Sequence, residues 1–314
     1  MDNQKLIQKV TTADLGAGGL MLPEQFDRFV DLTVDESVML KMVRVEKRAK
    51  PRGEIDKLNI GQPVTESAAE NADTGNTYNP AFSKVEYTVK KVRSAFDLST
   101  EALEENIEGE NFRETIMNSF AKRISTDLEL LAIQGDTTTY AADNSVLGRL
   151  LKRLDGWYVQ TNSGCHYVDA GGAPVSKELF SSMIKALPTK YRQAYSDLRF
   201  FVSPTIYQDF VDSLSERATA LGDNALSGRA PVTVYGIPVV SVPMIPETLG
   251  ASNDQTFIWL TFPKNFIMII FREITVHWEF RPRKDAWENT TYTQVDYVIE
   301  DKDAIVRANN VGLA

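Results

Sequence analysis

The residue types that carry most chemistry are sparse in this chain. It has two histidines, His166 and His277, and one cysteine, Cys165. Cys165 and His166 are adjacent, and neighbouring residues rarely turn both side chains onto one substrate, so they make a poor nucleophile and base. They also fall short of a structural zinc site, which takes four ligands at characteristic spacings. There is no G-x-S-x-G, no G-x-x-x-x-G-K-[ST] and no H-E-x-x-H. Gly16-Ala17-Gly18-Gly19 is glycine-rich but follows no strand pattern, which argues against a phosphate cradle. The 43 Asp and Glu residues leave a paired-carboxylate hydrolase open. Their densest cluster, however, lies beside a long helical pattern and reads as a solvated or partner-facing surface. No cofactor and no metal are expected, and no enzymatic activity.

Composition bounds the remaining classes. The 314 residues are 43% hydrophobic and 25% charged, which supports a real core in one large or two modest domains. The net charge of -9 argues against a surface devoted to nucleic acid. A single cysteine excludes an intrachain disulfide and fits reducing surroundings. No apolar run approaches the ~20 residues of a membrane helix; the best, 257–271, is broken by Pro263, Lys264 and Asn265. The N-terminal MDNQKLIQKV lacks an apolar signal-peptide core, so the sequon at Asn289–Thr291 carries no meaning.

The elements that would position any site are clearer than the site. Residues 1–22 read as a polar arm with a glycine hinge, followed by a short helix from Pro23 with Phe26, Phe29, Val30 and Val34 on one face. Residues 41–52 are basic: Lys41, Arg44, Lys47, Arg48, Lys50 and Arg52 against Glu46 alone. They read as a solvated strand face, or as a face for an acidic partner or packaged nucleic acid. Residues 53–96 read as a long hairpin with a polar tip at 61–80, and Val85, Tyr87 and Val89 give its return leg period two. The parity slips at Lys90–Lys91, which predicts a β-bulge. A lone two-stranded ribbon is marginal in water, so the rest of the chain or another copy must support it.

Residues 97–110 carry Asp97, Glu101, Glu104, Glu105, Glu108 and Glu110 with no Lys or Arg. Between copies, this acidic segment would complement the basic 41–52. Asn111 and Glu114 resemble a capping box opening a helix over 111–134. Its narrow stripe is Phe112, Ile116, Phe120, Ile124, Leu128 and Leu131, and Gly135 stops it. Residues 141–256 read as a separate α/β unit, with a helix capped by Ser176 and another opening at Pro204. Residues 257–314 return to β-structure, including a hairpin suited to lie on the long helix.

The order of these parts resembles the major capsid proteins of tailed bacteriophages, the Hong Kong 97-type fold. The resemblance spans nearly the whole chain: GAGGLMLPEQF, FDLSTEALEEN, LELLAIQGD, LPTKYRQAYSDLRFFVSPTIYQDFVDSL, VYGIPVVSVPMIP and VDYVIEDKDAIVRANNV, in that order. It implies an α+β fold with an N-terminal arm (1–40) and an extended loop (41–97). It also implies a peripheral domain with a long spine helix (98–140 and 257–314) and an α/β axial domain (141–256). It further implies pentamers and hexamers closing into a shell around double-stranded DNA, no membrane, and residence in the virion after assembly in the host cytoplasm. With the arm beginning near Met1, a separate scaffolding protein is expected, as is a portal protein. The extended loop would lie over a neighbour, and the turn Arg281–Asp285 would meet its copies near three-fold positions. The subunit-contact candidates are therefore Arg44, Lys47, Arg48, Lys57, Glu101, Glu104, Glu105, Arg281, Arg283, Lys284 and Asp285. Some family members crosslink a lysine to a neighbour's asparagine; Lys57 is the nominee here, though nothing around it in sequence singles it out. The rival readings are an encapsulin-like compartment, a cytosolic α/β hydrolytic enzyme and a polymer-binding module. The glycine-hinged polar arm favours the phage reading over the compartment.

Overall fold

A computed structural model of the protein describes residues 37–59, 81–101, 112–215, 232–250, 252–271 and 275–313. The arm, its glycine hinge, the hairpin tip 61–80, the capping box and the loop 218–231 lie outside the described residues, wholly or in their decisive positions. The first half of the chain supplies β1 (Arg44–Arg48), β2 (Arg52–Asn59), β3 (Ala81–Thr88), β4 (Lys90–Ser99) and the helix α1 (Phe112–Gln134). Then follow α2 (Val146–Leu151), α3 (Trp157–Gln160), β5 (His166–Asp169), α4 (Lys177–Ala186), α5 (Thr189–Arg192), β6 (Arg199–Val202) and α6 (Pro204–Ser215). The remaining strands are β7 (Thr233–Val234), β8 (Ile237–Ser241), β9 (Gln255–Thr261), β10 (Phe266–Phe271), β11 (Thr275–Arg281), β12 (Ala286–Ile299) and β13 (Val306–Gly312).

The strands form three sheets. In one, β1, β10, β12 and β11 follow in that order and β4 pairs with β12. The second runs β5-β13-β9-β6-β8-β7, and the third is the two-stranded ribbon β2-β3. The expected C-terminal block 257–314 is therefore divided. Strands β10, β11 and β12 belong to the first sheet, while β9 and β13 are built into the second, so the proposed boundary at 256/257 falls inside β9.

The apolar runs FIWLTF and FIMIIF explain this division. A strand buried on one face alternates in polarity, whereas one buried on both faces is apolar throughout. In β9, Phe257 and Trp259 enter a central core with Phe201, Trp157 and Phe266. Ile258 and Leu260 point the other way, into a core shared with Phe180 and Met183 of α4 and Ile206 and Phe210 of α6. In β10, Phe266, Met268 and Ile270 join the central core, and Ile267 and Ile269 join a third cluster beneath the ribbon.

The helices behave largely as read. The Ser176 hydroxyl accepts from the Leu179 N–H at 3.2 Å and starts α4, and α6 opens on Pro204. The helix α1 differs in one respect. Its middle follows the narrow stripe, with Ile124 and Leu128 buried, but Leu131, Ala132 and Ile133 are all fully buried. The last turn lies inside the central core, so successive residues are buried and its one polar side chain, Gln134, donates to the Met244 carbonyl at 2.7 Å. Tyr297 of β12 donates its hydroxyl to the Leu128 carbonyl at 2.8 Å, and Glu129 accepts from the Met39 N–H at 2.8 Å.

The slip at Lys90–Lys91 is not a bulge within one ladder. Residues up to Thr88 pair with β2, and residues from Lys90 pair with β12. The strand changes partner at Val89, whose N–H is held by the Pro51 carbonyl at 3.0 Å.

Gly135 ends α1 because of close packing rather than a left-handed conformation. A Cβ there would lie 2.5 Å from the Leu154 carbonyl oxygen and 2.6 Å from that of Leu131. Both are backbone atoms and neither can swing away. Gly135→Ala is therefore expected to cost about 1–3 kcal/mol, as overpacking does. Urea titration of wild type and variant measures this, and an unshifted midpoint would disprove the close approach.

Candidate assembly surface

The charges proposed to join one copy to another are partly committed within the chain. The Arg44 guanidinium lies 2.9 Å from Glu46 and 2.9 Å from Glu300. Arg48 donates from Nε to Glu46 at 2.9 Å. Lys57 Nζ is 2.8 Å from Asp301, which ties up the crosslink nominee. Lys47 is exposed on β1, and Glu101 is exposed at the end of the β4 connection; Glu104 and Glu105 lie outside the described residues. Arg44 and Arg48 thus have carboxylate partners, Glu46 and Glu300, within the chain.

The turn between β11 and β12 is similarly self-neutralised. Arg281 Nε is 2.6 Å from Glu288, and Lys284 Nζ is 2.7 Å from Glu288 and 3.3 Å from Asp97. Asp285 sits at φ 46°, a region that Asp tolerates better than most residues. Its carbonyl accepts from the Thr100 N–H at 3.1 Å, and its carboxylate accepts from the Thr100 hydroxyl at 2.9 Å. The turn is thereby stapled to the end of β4. Of its three cations, Arg283 alone is exposed with no ion pair among the described residues.

The described legs of the ribbon find support in their own chain, where the sequence left open support from another copy. Ile55, Tyr87 and Val89 are buried against Ile267, Ile269 and Val298. Asp296 accepts from the Thr88 N–H at 2.7 Å. Gly53 makes room for the Tyr87 ring, whose hydroxyl would lie 2.5 Å from a Cβ at that position. The opposite face carries exposed Glu54, Asp56, Lys84 and Glu86. Glu54 and Glu86 are direct cross-strand partners, a like-charge pairing that destabilises a ladder, and Lys84 relieves it by pairing with Glu54.

The feature that sequence reading missed is the acidic turn Glu300–Asp303, which gathers basic side chains from four elements. Glu300 takes Arg44 of β1 and Asp301 takes Lys57 of β2. Asp303 takes Lys190 of α5 at 2.6 Å and His166 of β5 at 3.0 Å. Lys190 chiefly, with His166 assisting against burial, holds the Asp303 carboxyl below its usual range. Burial opposes ionisation of Asp301, but Lys57 and Tyr191 outweigh it and the carboxyl is again lowered. Tyr191, which donates to Asp301, is pushed up to about 12 by burial first and by Asp301 second. The only sequence signal was the run E-D-K-D after a strand.

Cys165 and His166 do not form a joint site. The Cys165 thiol donates to the Thr161 carbonyl at 2.9 Å while His166 meets Asp303, so the two side chains serve different partners. Burial pushes the Cys165 thiol up, away from thiolate. Among the described residues no group of three or more His, Cys, Asp or Glu is placed to hold a metal ion.

The lowered carboxyls set a pH dependence. A group depressed in the folded state contributes stability above its unfolded pKa, about 3.9 for Asp. That contribution is lost as pH falls through the lower folded value. Lys190→Met is expected to lower Tm at neutral pH, and the deficit should shrink as pH drops below about 4. Calorimetry at stepped pH reads the difference between the two proteins, which cancels the opposite contribution of Asp296, raised by burial. A deficit constant from pH 7 to 2.5 would refute the pairing.

The comparisons place this geometry. The Phage capsid family profile matches residues 17–310. The "Putative prophage capsid protein YqbE" of Bacillus subtilis (strain 168) is 30% identical over 315 residues, covering 98% of this chain and 98% of that protein. The fold is similar to that in the satellite phage P4 procapsid including the size determination (Sid) protein, with TM-score 0.68 and 19% identity over 100% of this chain and 99% of that one. It is also similar to the holo-SrpI encapsulin of Synechococcus elongatus PCC 7942, with TM-score 0.55 and 13% identity over 88% of each chain. The expected α+β architecture of the Hong Kong 97 type is borne out, and capsids and an encapsulin share it, so fold alone does not separate them. The family match and the 30% identical relative do: the chain belongs to the phage capsid family.

Proposed function

We propose that this protein is a major capsid protein whose copies assemble through pentamers and hexamers into an icosahedral shell enclosing double-stranded DNA. The observation that carries the reading is the family match across residues 17–310, on a fold similar to that of a procapsid protein. In this reading α1 and the sheet around β12 form the peripheral domain, and the sheet around β9 with α4 and α6 forms the axial domain. Residues 41–97 are the extended loop and 1–40 the arm. A separate scaffolding protein, a portal and assembly in the host cytoplasm complete the picture.

The physics is that of many modest contacts. A specific interface buries ~1,200–2,000 Å², and a subunit with several neighbours sums them. Closure makes the later contacts effectively intramolecular. The net charge of -9 keeps DNA from adhering to the wall. The role is structural, so no substrate is required of the sparse chemistry. Charges not neutralised within the chain, Arg283 above all, are the ones available to another copy.

Electron microscopy of the purified chain tests this directly. Closed shells, tubes or ring-shaped capsomers are expected; small discrete particles would refute it. Native particles are expected to hold DNA, and protein cargo in its place would identify a compartment instead. Arg283→Glu is expected to leave folding stability within about 0.5 kcal/mol while cutting the yield of assembled particles at least tenfold. Unchanged yield would remove the β11–β12 turn from the contacts.

A further inference from the structure

The ribbon is attached to the body in two different ways. Near its base the attachment is chiefly apolar, through Ile55, Tyr87 and Val89, with one hydrogen bond from the Thr88 N–H to Asp296 at the point where the chain leaves the ribbon. Apolar contact is non-directional and tolerates sliding and tilt. Further out, Lys57 follows Gly53 and Ile55 at period two on the body-facing side of β2, and it is opposite Ser83 in the ladder. Its ammonium meets Asp301 at 2.8 Å. Holding Lys57 therefore also holds β3.

Asp301 cannot follow Lys57 if the ribbon swings. Its N–H donates to Asn265 Oδ1 at 2.8 Å and its carbonyl accepts from Asn265 Nδ2 at 2.8 Å. One carboxylate oxygen accepts from the Tyr191 hydroxyl, and the other from the Asp303 N–H at 3.2 Å. Asn265 sits at the entry to β10, and Tyr191 packs against the core beneath α4. One carboxylate thus ties the ribbon to both sheets, and a charge-assisted hydrogen bond of this kind fixes direction as well as distance.

We propose that Asp301 is the positioning residue of the ribbon, setting the angle at which residues 52–59 and 81–88 leave the body. Resting on the capsid reading, that angle also sets how the ribbon meets a neighbouring copy, and so the curvature of the shell. An eight-residue strand spans about 26 Å, so a tilt of about 10° moves its end by about 5 Å. That is more than a van der Waals contact and exchanges one set of neighbours for another.

The test uses the full chain and the variants D301N, K57M and the exchange K57D/D301K. Amide exchange followed by mass spectrometry is expected to rise at least tenfold over 52–59 and 81–88 in D301N and in K57M. Residues 255–261 and 306–312 should stay unchanged, and the charge exchange should restore the ribbon. K57M leaves the Asn265 and Tyr191 contacts of Asp301 in place, so it decides the matter if D301N loosens the whole fold. No rise in K57M overturns the positioning role. Particles of wild type are expected to share one diameter and those of both single variants to scatter. Loosened ribbons in particles of unchanged diameter overturn the link to curvature. A wild-type chain that forms no particles sinks the capsid reading alone, because the exchange arm still decides the role of Asp301.

Discussion

Strands β9 and β10 are the constraint on which the rest depends, because each is buried on both faces. Phe257 and Trp259 face one core and Ile258 and Leu260 another. Phe266, Met268 and Ile270 face the central core while Ile267 and Ile269 lie under the ribbon. Three apolar clusters are therefore in series through two adjacent strands. A methylene lost from either strand is felt on both sides of its sheet, since packed interiors relax only partly. The same arrangement binds the two sheets more closely than a chain of separate domains would be. Trp157 and Phe266 at 4.8 Å, and Trp259 and Phe266 at 5.3 Å, form the aromatic centre of that joint.

Around this joint the charges sort by purpose. Arg44, Arg48, Lys57, Lys190, Arg281 and Lys284 each have a carboxylate partner in the same chain. Exposed pairs of this kind contribute little stability, but they fix orientation. The turn Glu300–Asp303 is where orientation is concentrated, because its partners come from β1, β2, β5 and α5. A chain made for repeated association benefits from this. A subunit whose charges are mutually satisfied offers fewer ways to pair wrongly, which is a matter of specificity more than affinity.

Much of the fold was legible because it is written in local patterns. The Ser176 cap, Pro204 at the start of α6 and the period-two strand over 275–281 all depend on near neighbours, whereas Gly135 ends α1 for a reason set by Leu154, 19 residues on. The failures are non-local. The shift at Lys90–Lys91 was visible, but a bulge and a change of partner strand give the same parity slip. The division of 257–314 between two sheets depends on pairing with Arg199–Val202 and His166–Asp169, far off in sequence. The charged network around Glu300–Asp303 went unread for the same reason. Arg44 lies 256 residues from Glu300, while the acidic run at 97–110 was nearer and denser. Among the described contact candidates, Lys47, Glu101 and the residues of the turn Arg281–Asp285 are exposed, and Arg283 has no ion pair.

The scarcity of catalytic groups fits this division of labour. A shell subunit has two requirements that pull against each other: a body that holds its shape, and contacts that can be made and corrected. Burial on both faces of β9 and β10 meets the first. The second is met where the core ends, at a ribbon gripped by a small apolar patch, one hydrogen bond to Asp296 and one lysine, and at a turn with one unspent arginine. Weak contacts repeated around a closed surface outlast stronger single ones, because each is re-formed before its neighbours let go. Strengthening any one of them would slow correction of misplaced subunits without adding much to the closed form. The modest grip on the ribbon is in that sense a property of the design and follows from the requirement for closure.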